Sequence, residues 1–88
     1  MVAEIRQALY QSGISLSLVH EIVALVETKP LRVQRAFLLR VQGKTQGEMV
    51  SIMEVPRTTM RRFLSRDCAD IRELIRSKCV LDGHSACL

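Results

Sequence analysis

The clearest chemical pattern in this 88-residue chain lies between positions 57 and 66. Arginine carries a planar guanidinium that forms paired hydrogen bonds with guanine or phosphate, and threonine contacts a thymine methyl group or a base-edge acceptor. Such side chains recur here at helical spacing, which places them on one side of an α-helix. The pattern predicts a helix that contacts the bases and phosphates of double-stranded DNA through Arg57, Thr58, Arg61, Arg62 and Arg66.

The segment just before this helix contains a strong helix-start signal. Residues 45–48, Thr-Gln-Gly-Glu, have the form of a capping box, in which the first and last side chains hydrogen-bond to amides left unpaired at a helix start. Glu54-Val55 then predicts a turn, and Pro56 favours the start of the next helix. We therefore predict a helix-turn-helix from Thr45 to Arg66, in which the DNA backbone is contacted by Lys44, Thr45 and Gln46.

Apolar residues at helical spacing predict which side of these two helices is buried. A helix enters the major groove only if its opposite side packs on a scaffold, so this side fixes the orientation of the arginines. The residues predicted to be buried are Met49, Ile52, Met53, Val55, Met60, Phe63 and Leu64.

The rest of the chain is also typical of helices. Leu, Ile, Val and Met recur at helical spacing, interrupted at Ser12-Gly13, at Thr28-Lys29-Pro30 and at Gly43. The pattern predicts an all-α, five-helix domain with a helix-turn-helix, covering residues 1–79. N-terminal helices occupy residues 1–28, and the helix-turn-helix core occupies residues 30–66. A last amphipathic helix is expected to end near Lys78, before a flexible tail at residues 80–88.

The segment from Leu18 to Val26 has an unusually wide apolar face. A face of this width contacts more than one neighbouring element, so it either crosses the domain core or forms a contact between subunits. Both alternatives remain open from the sequence. A homodimer is the expected assembly, since paired helix-turn-helix units gain specificity, and its dimer or partner face is predicted at Leu18, Ile22 and Val26.

Positive charge is concentrated in the middle of the chain. The net charge of the whole chain is +4, yet residues 29–66 hold nine basic residues against two acidic ones. Residues 1–28 carry one base against three acids, and residues 67–88 carry three bases against four acids. A concentrated positive field favours binding to a polyanion, because the polyanion releases counterions when it is neutralised.

Several function classes are disfavoured. Aromatic residues make up only 3% of the chain, which argues against single-strand binders that stack bases on aromatic rings. No nucleophile-base pair, paired carboxylates or phosphate-binding glycine loop can be assembled, so we expect no enzyme activity and no cofactor. Zinc-ligand spacing is also missing, so we expect no metal site and free thiols at Cys68, Cys79 and Cys87. These thiols, without a secretion signal or an apolar membrane span, predict a cytoplasmic protein.

The stretch from Arg32 to Leu74, RVQRAFLLRVQGKTQGEMVSIMEVPRTTMRRFLSRDCADIREL, resembles region four of bacterial sigma factors, especially the extracytoplasmic-function type. The likeness rests on an apolar helix ending at a glycine, a Thr-x-x-Glu helix start, a short turn, and a recognition helix followed by Ser-Arg. It implies that Thr45 contacts a phosphate. It also implies that bases or phosphates in the major groove are reached by Arg57, Thr58, Arg61 and Arg62. A weaker resemblance is to small regulators of fimbrial and plasmid transfer operons.

The chain departs from the sigma pattern at two positions. Val50 stands where that family usually has alanine, and Glu54 stands where the tight turn usually has glycine. Helix packing or turn geometry is therefore expected to differ. The chain also lacks room for region two, which melts the promoter in sigma factors. The resemblance thus implies a stand-alone regulator of bacterial, phage or plasmid origin.

Two functions follow from these patterns. The first is a sequence-specific, dimeric transcriptional regulator that binds double-stranded DNA through the helix-turn-helix. The alternative is a protein-interaction module that uses the same scaffold to bind another regulator or RNA polymerase without reading DNA. The salt dependence of binding distinguishes the two functions. Binding through several phosphates weakens steeply as the salt concentration rises, whereas binding through an apolar interface does not.

Overall fold

The computed structural model describes residues 1–81 and the side chains of residues 1–78. No residue from 1 to 81 lies in a β-strand, which confirms the predicted all-α class. A π-helical turn at Phe63–Asp67 follows directly on the fifth helix. The six α-helices in chain order are α1 Val2–Gln11, α2 Leu16–Val26, α3 Leu31–Val41, α4 Gln46–Met53, α5 Arg57–Arg62 and α6 Ala69–Leu81.

The predicted count of five helices is one too low. Residues 1–81 contain six α-helices, separated by five interruptions. Two interruptions are glycines with positive φ, at Gly13 (+83°) and Gly43 (+90°), a conformation that side chains with a Cβ rarely adopt. At the second, Gly43 donates its amide to the Arg40 carbonyl at 3.0 Å, and Lys44 donates to the Leu39 carbonyl at 3.1 Å. These bonds satisfy the last carbonyls of α3 and stop the helix.

The end of α6 differs from the prediction. The helix continues to Leu81, beyond the expected end near Lys78, so residues 80 and 81 belong to the helix and not to a tail. No proline or glycine interrupts residues 69–81, which explains why the helix continues. The remainder of the predicted tail, residues 82–88, lies outside the described residues. No helix within residues 1–81 is both long enough and apolar enough to cross a membrane.

The main core joins α1, α2, α3 and α6. Its buried side chains are almost all aliphatic, and the helices pack in pairs around them. Burial of this continuous apolar surface is the principal stabilisation of the fold. Its members are Ile5, Ala8, Leu9, Leu18, Val19, Ile22, Val23, Val26, Val33, Phe37, Leu38, Val41, Cys68, Ile71 and Ile75.

The predicted dimer or partner face is corrected by this core. Leu18, Ile22 and Val26 are 7%, 0% and 1% exposed in the single chain. The wide apolar face of α2 is buried because α1 packs on it from one direction and α6 from another. Of the two alternatives that the sequence left open, the structure therefore supports the domain core for these three side chains.

A second, smaller group, the minor core, supports α4 and α5. It consists of Ala36, Leu39, Met49, Val55 and Met60. The third helix serves both cores, since two of its buried residues belong to the minor core and four others to the main core. This shared helix fixes the orientation of the two short helices relative to the rest of the molecule.

Candidate nucleic-acid interface

The start of α4 has the predicted capping box. The Thr45 hydroxyl accepts the Glu48 amide at 3.2 Å, and the Glu48 carboxylate accepts the Thr45 amide at 3.0 Å. The hydrogen bond from the Thr45 amide favours the ionised carboxylate and holds the pKa of Glu48 below its ordinary value of 4.5. The box fixes where α4 begins, and with it the positions of the neighbouring backbone amides.

The turn between α4 and α5 is formed by residues 54–56. Glu54 has φ 54° and ψ 43°, which is left-handed and is the only positive φ of a residue other than glycine within residues 1–81. Its amide donates to the Val50 carbonyl at 2.9 Å. The sequence predicted an altered turn because glutamate replaces the usual glycine. Glutamate here adopts the left-handed conformation that favours glycine, at a cost in strain.

Helix α5 has two sharply different sides. Met60 is fully buried in the minor core, whereas Arg57, Thr58, Arg61 and Arg62, which we call the reader face, are exposed. At 3.6 residues per turn these four positions span about 140° around the helix axis. Four of the five residues predicted to contact DNA therefore lie together on one exposed helical surface.

The fifth predicted residue, Arg66, lies in the π turn and not in the α-helix that carries the reader face. It is also exposed. The π turn is held from two directions: Ser65 donates its hydroxyl to the Arg61 carbonyl at 2.7 Å, and Arg72 of α6 donates to the Leu64 carbonyl at 3.1 Å. A π turn changes the helical phase, so the direction of Arg66 does not follow from the spacing of the reader face.

The three predicted backbone-contacting residues lie together at the start of α4. Thr45 is exposed, and Lys44 and Gln46 are partly exposed. The first amides of an α-helix lack intrahelical partners and carry partial positive charge, which favours contact with phosphate oxygens. Lys44 adds a full positive charge at the same helix end.

The prediction of which side of α4 and α5 is buried is confirmed for the central residues and is wrong for Ile52. Met49, Val55 and Met60 are buried, and Met53, Phe63 and Leu64 are partly buried. Ile52 is 42% exposed. Met49 belongs to the minor core and Met53 packs against it, whereas Ile52 lies about 100° from Met53 around the axis of α4 and stays at the margin.

Phe63 has a role that the sequence did not indicate. Its ring is partly buried and packs against both the main core and the minor core. The π turn and its anchor Arg72 were also missed, because a hydrogen bond from another helix holds the turn. In the sequence, Arg72 and Arg76 are four residues apart, and this spacing indicates a basic side of α6.

Of the three cysteines, only Cys68 has a side chain within the described residues. Cys68 is 2% exposed and has no disulfide partner among the described residues, and burial raises the pKa of its thiol to about 11. Within the described residues, no three His, Cys, Asp or Glu side chains converge as metal ligands. The Cys79 side chain and Cys87 lie outside the described part of the chain.

Comparisons with known proteins found no match to this chain among family models, curated proteins or solved structures. The similarity to sigma region four therefore rests on the motifs from Arg32 to Leu74 alone.

Proposed function

We propose that the protein is a transcriptional regulator that binds specific double-stranded DNA sites through a helix-turn-helix. In this proposal, the reader face on α5 lies in the major groove and contacts base edges and phosphates. The start of α4, with Lys44, Thr45 and Gln46, contacts the sugar-phosphate backbone. The protein acts in the cytoplasm of a bacterial cell, on chromosomal, phage or plasmid DNA.

The observation that carries the proposal is the division of α5 into a buried side and an arginine-rich side. Met60 anchors the helix to the minor core, and the opposite surface holds Arg57, Arg61 and Arg62 without an ion-pair partner among the described residues. The major groove is about 12 Å wide and accepts one α-helix with its side chains. Unpaired guanidinium groups on such a helix bind guanine and phosphate without first losing a carboxylate partner.

The surrounding elements support the same function. The short α4, the three-residue turn and α5 have the order of a helix-turn-helix, in which the second helix reads bases and the first positions it. The concentration of positive charge in residues 29–66 adds a long-range attraction to DNA. The helix-turn-helix order favours duplex DNA, and an aromatic content of only 3% argues against binding of single strands by base stacking.

The predicted homodimer requires a surface other than the one first expected. Leu18, Ile22 and Val26 are unavailable because they fill the main core. Two copies bound to a symmetric DNA site would then contact each other through other surface residues, and the DNA would hold them side by side. Sedimentation of the free protein and of its complex with DNA measures whether the second copy is present before DNA binds.

The test is the affinity of alanine variants for duplex DNA at fixed salt. A specific site is first selected from a random-sequence duplex library, and fluorescence anisotropy then measures binding of that site and of a mixed-sequence duplex. Arg61→Ala and Arg62→Ala should each weaken specific binding by about 1 to 3 kcal/mol. Arg32→Ala is the matched control, because it removes one exposed positive charge from the start of α3, outside the reader face.

The proposal is wrong if both variants bind the selected site as well as the wild type, or if no duplex is bound even at low salt. Circular dichroism confirms that each variant keeps its helices. A wild-type protein that binds no DNA but captures a purified regulator or RNA polymerase, with little dependence on salt, would support the protein-interaction alternative.

A further inference from the structure

A cavity of about 260 Å³ lies between α3, the π turn and α6. Its apolar surface comes from Phe37, Leu64 and Cys68, and its charged rim consists of Arg40, Arg72 and Arg76. None of these residues belongs to the reader face. The cavity is partly open to solvent, and its size is just below that of usual small-molecule sites, which begin at about 300 Å³.

The rim of this cavity is entirely cationic. No carboxylate from the described residues lines it, and none of its three arginines forms an ion pair within residues 1–81. Arg72 is held in place by its 3.1 Å hydrogen bond to the Leu64 carbonyl. Three guanidinium groups around one opening repel one another, and an anion placed between them relieves this repulsion.

The interior of the cavity has a different character. Phe37 is 3% exposed and Cys68 is 2% exposed, so each presents only a small part of its side chain to the cavity, and the partly buried Leu64 completes the apolar lining. Burial raises the pKa of the Cys68 thiol to about 11, so the thiol adds no negative charge at neutral pH. An apolar group on this surface gains from leaving water, whereas a bare hydrated anion gains nothing there.

We propose that this cavity binds a small organic anion, in which one carboxylate or phosphate group is attached to a compact apolar body. The anionic group lies among Arg40, Arg72 and Arg76, and the apolar body rests on Phe37, Leu64 and Cys68. Arginine suits this role because its planar donors pair with the two oxygens of a carboxylate or phosphate. The proposed site does not depend on DNA binding, so it is tested first with small molecules in the absence of DNA.

Four small probes separate the contributions of charge and apolar surface. Phenyl phosphate and benzoate carry both parts, benzamide carries the ring without charge, and inorganic phosphate carries charge without a ring. Titration calorimetry and ¹H–¹⁵N spectra, including the arginine Nε–H signals, measure binding to the whole chain. One of the two complete probes should saturate with a dissociation constant of about 1 mM or tighter and shift the signals of the three rim arginines.

Variants locate the site. Arg40→Gln and Arg76→Gln should each weaken binding of that probe by roughly tenfold, because each removes a charge-assisted contact. These two are preferred to substitution of Arg72, which also anchors the π turn. Arg32→Gln, on the exposed start of α3, is the matched control and should bind the probe as the wild type does.

Three results would overturn the proposal. The first is the absence of saturable binding by both phenyl phosphate and benzoate in a folded protein. The second is equal binding of benzamide or inorganic phosphate, which would show that charge and apolar surface do not act together. The third is a shift of the rim arginines by a short DNA duplex but by neither complete probe, which would assign them to the DNA backbone.

Discussion

The main core and the minor core support different parts of the molecule and differ in how they are built. The main core has fifteen buried residues, all from four helices except Cys68, which directly precedes α6. The minor core has five, two of them methionines, and supports the two short helices that present the reader face. Less buried apolar surface means weaker local stabilisation, so the candidate DNA-binding unit is expected to open more readily than the rest.

The largest expected effect is the loss of a central side chain of the main core. Ile22 of α2 is fully buried in the main core, so Ile22→Ala should reduce the free energy of unfolding by about 2 to 5 kcal/mol. Denaturant unfolding followed by circular dichroism measures the change. Leu16→Ala on the same helix is the control and should change stability by less than about 0.5 kcal/mol, because Leu16 is 57% exposed.

The next effect concerns the contact between the two cores. Phe63 is partly buried and touches both, so Phe63→Ala should cost about 1 to 3 kcal/mol, less than the loss of a fully buried ring. The substitution should also destabilise the minor core more than the main core. Amide hydrogen exchange should accelerate in α4 and α5 more than in α1 and α2. Equal acceleration in all four helices would mean that the cores open as one unit.

A smaller effect of opposite sign is expected in the turn of the minor core. Glu54→Gly should stabilise the protein by about 0.5 to 1 kcal/mol, because glycine adopts the left-handed conformation without the clash of a Cβ. Glu54→Ala is the matched control, since it removes the charge and keeps the Cβ. If alanine stabilises as much as glycine, the gain comes from charge and the strain argument fails.

The smallest effect is the pH dependence of the capping box. The folded-state pKa of Glu48 is lowered, so its contribution is complete above its ordinary value of 4.5 and is lost as pH falls through the folded value. Glu48→Gln keeps an acceptor for the Thr45 amide but cannot ionise. The stability difference between wild type and this variant should therefore shrink below pH 4.5. A difference that is constant from pH 7 to pH 3 would contradict this role for the carboxylate.

The features predicted correctly from the sequence are set by neighbouring residues. The capping box at Thr45 and Glu48 needs only residues three apart, and the helix end at Gly43 needs only the backbone freedom of one glycine. The exposed side of α5 follows from helical periodicity with Met60 as the buried reference. Local chemistry therefore gave the candidate site and most helix boundaries.

The features that the sequence missed depend on distant residues. The apolar face of α2 fits a domain core or a dimer face equally well in the sequence, and the packing of α1 and α6 against it decides between them. The Leu64 carbonyl of the π turn accepts a hydrogen bond from Arg72, eight residues further along the chain. Ile52 and Met53 are adjacent apolar residues of α4, and only the packing of the minor core buries one of them, Met53, in part. None of these contacts leaves a periodic signal in the chain.

The central claim is that the reader face binds duplex DNA, and the salt dependence of binding tests it most directly. The logarithm of the affinity for a selected duplex is measured against the logarithm of salt concentration for wild type, Arg61→Ala and Arg32→Ala. We expect a steep slope for wild type, the same slope for Arg32→Ala, and a slope reduced by about one for Arg61→Ala if that side chain neutralises a phosphate. If Arg61 contacts a base instead, its variant should bind more weakly and discriminate less between sites. Affinity and slope that are equal in all three proteins would contradict the account.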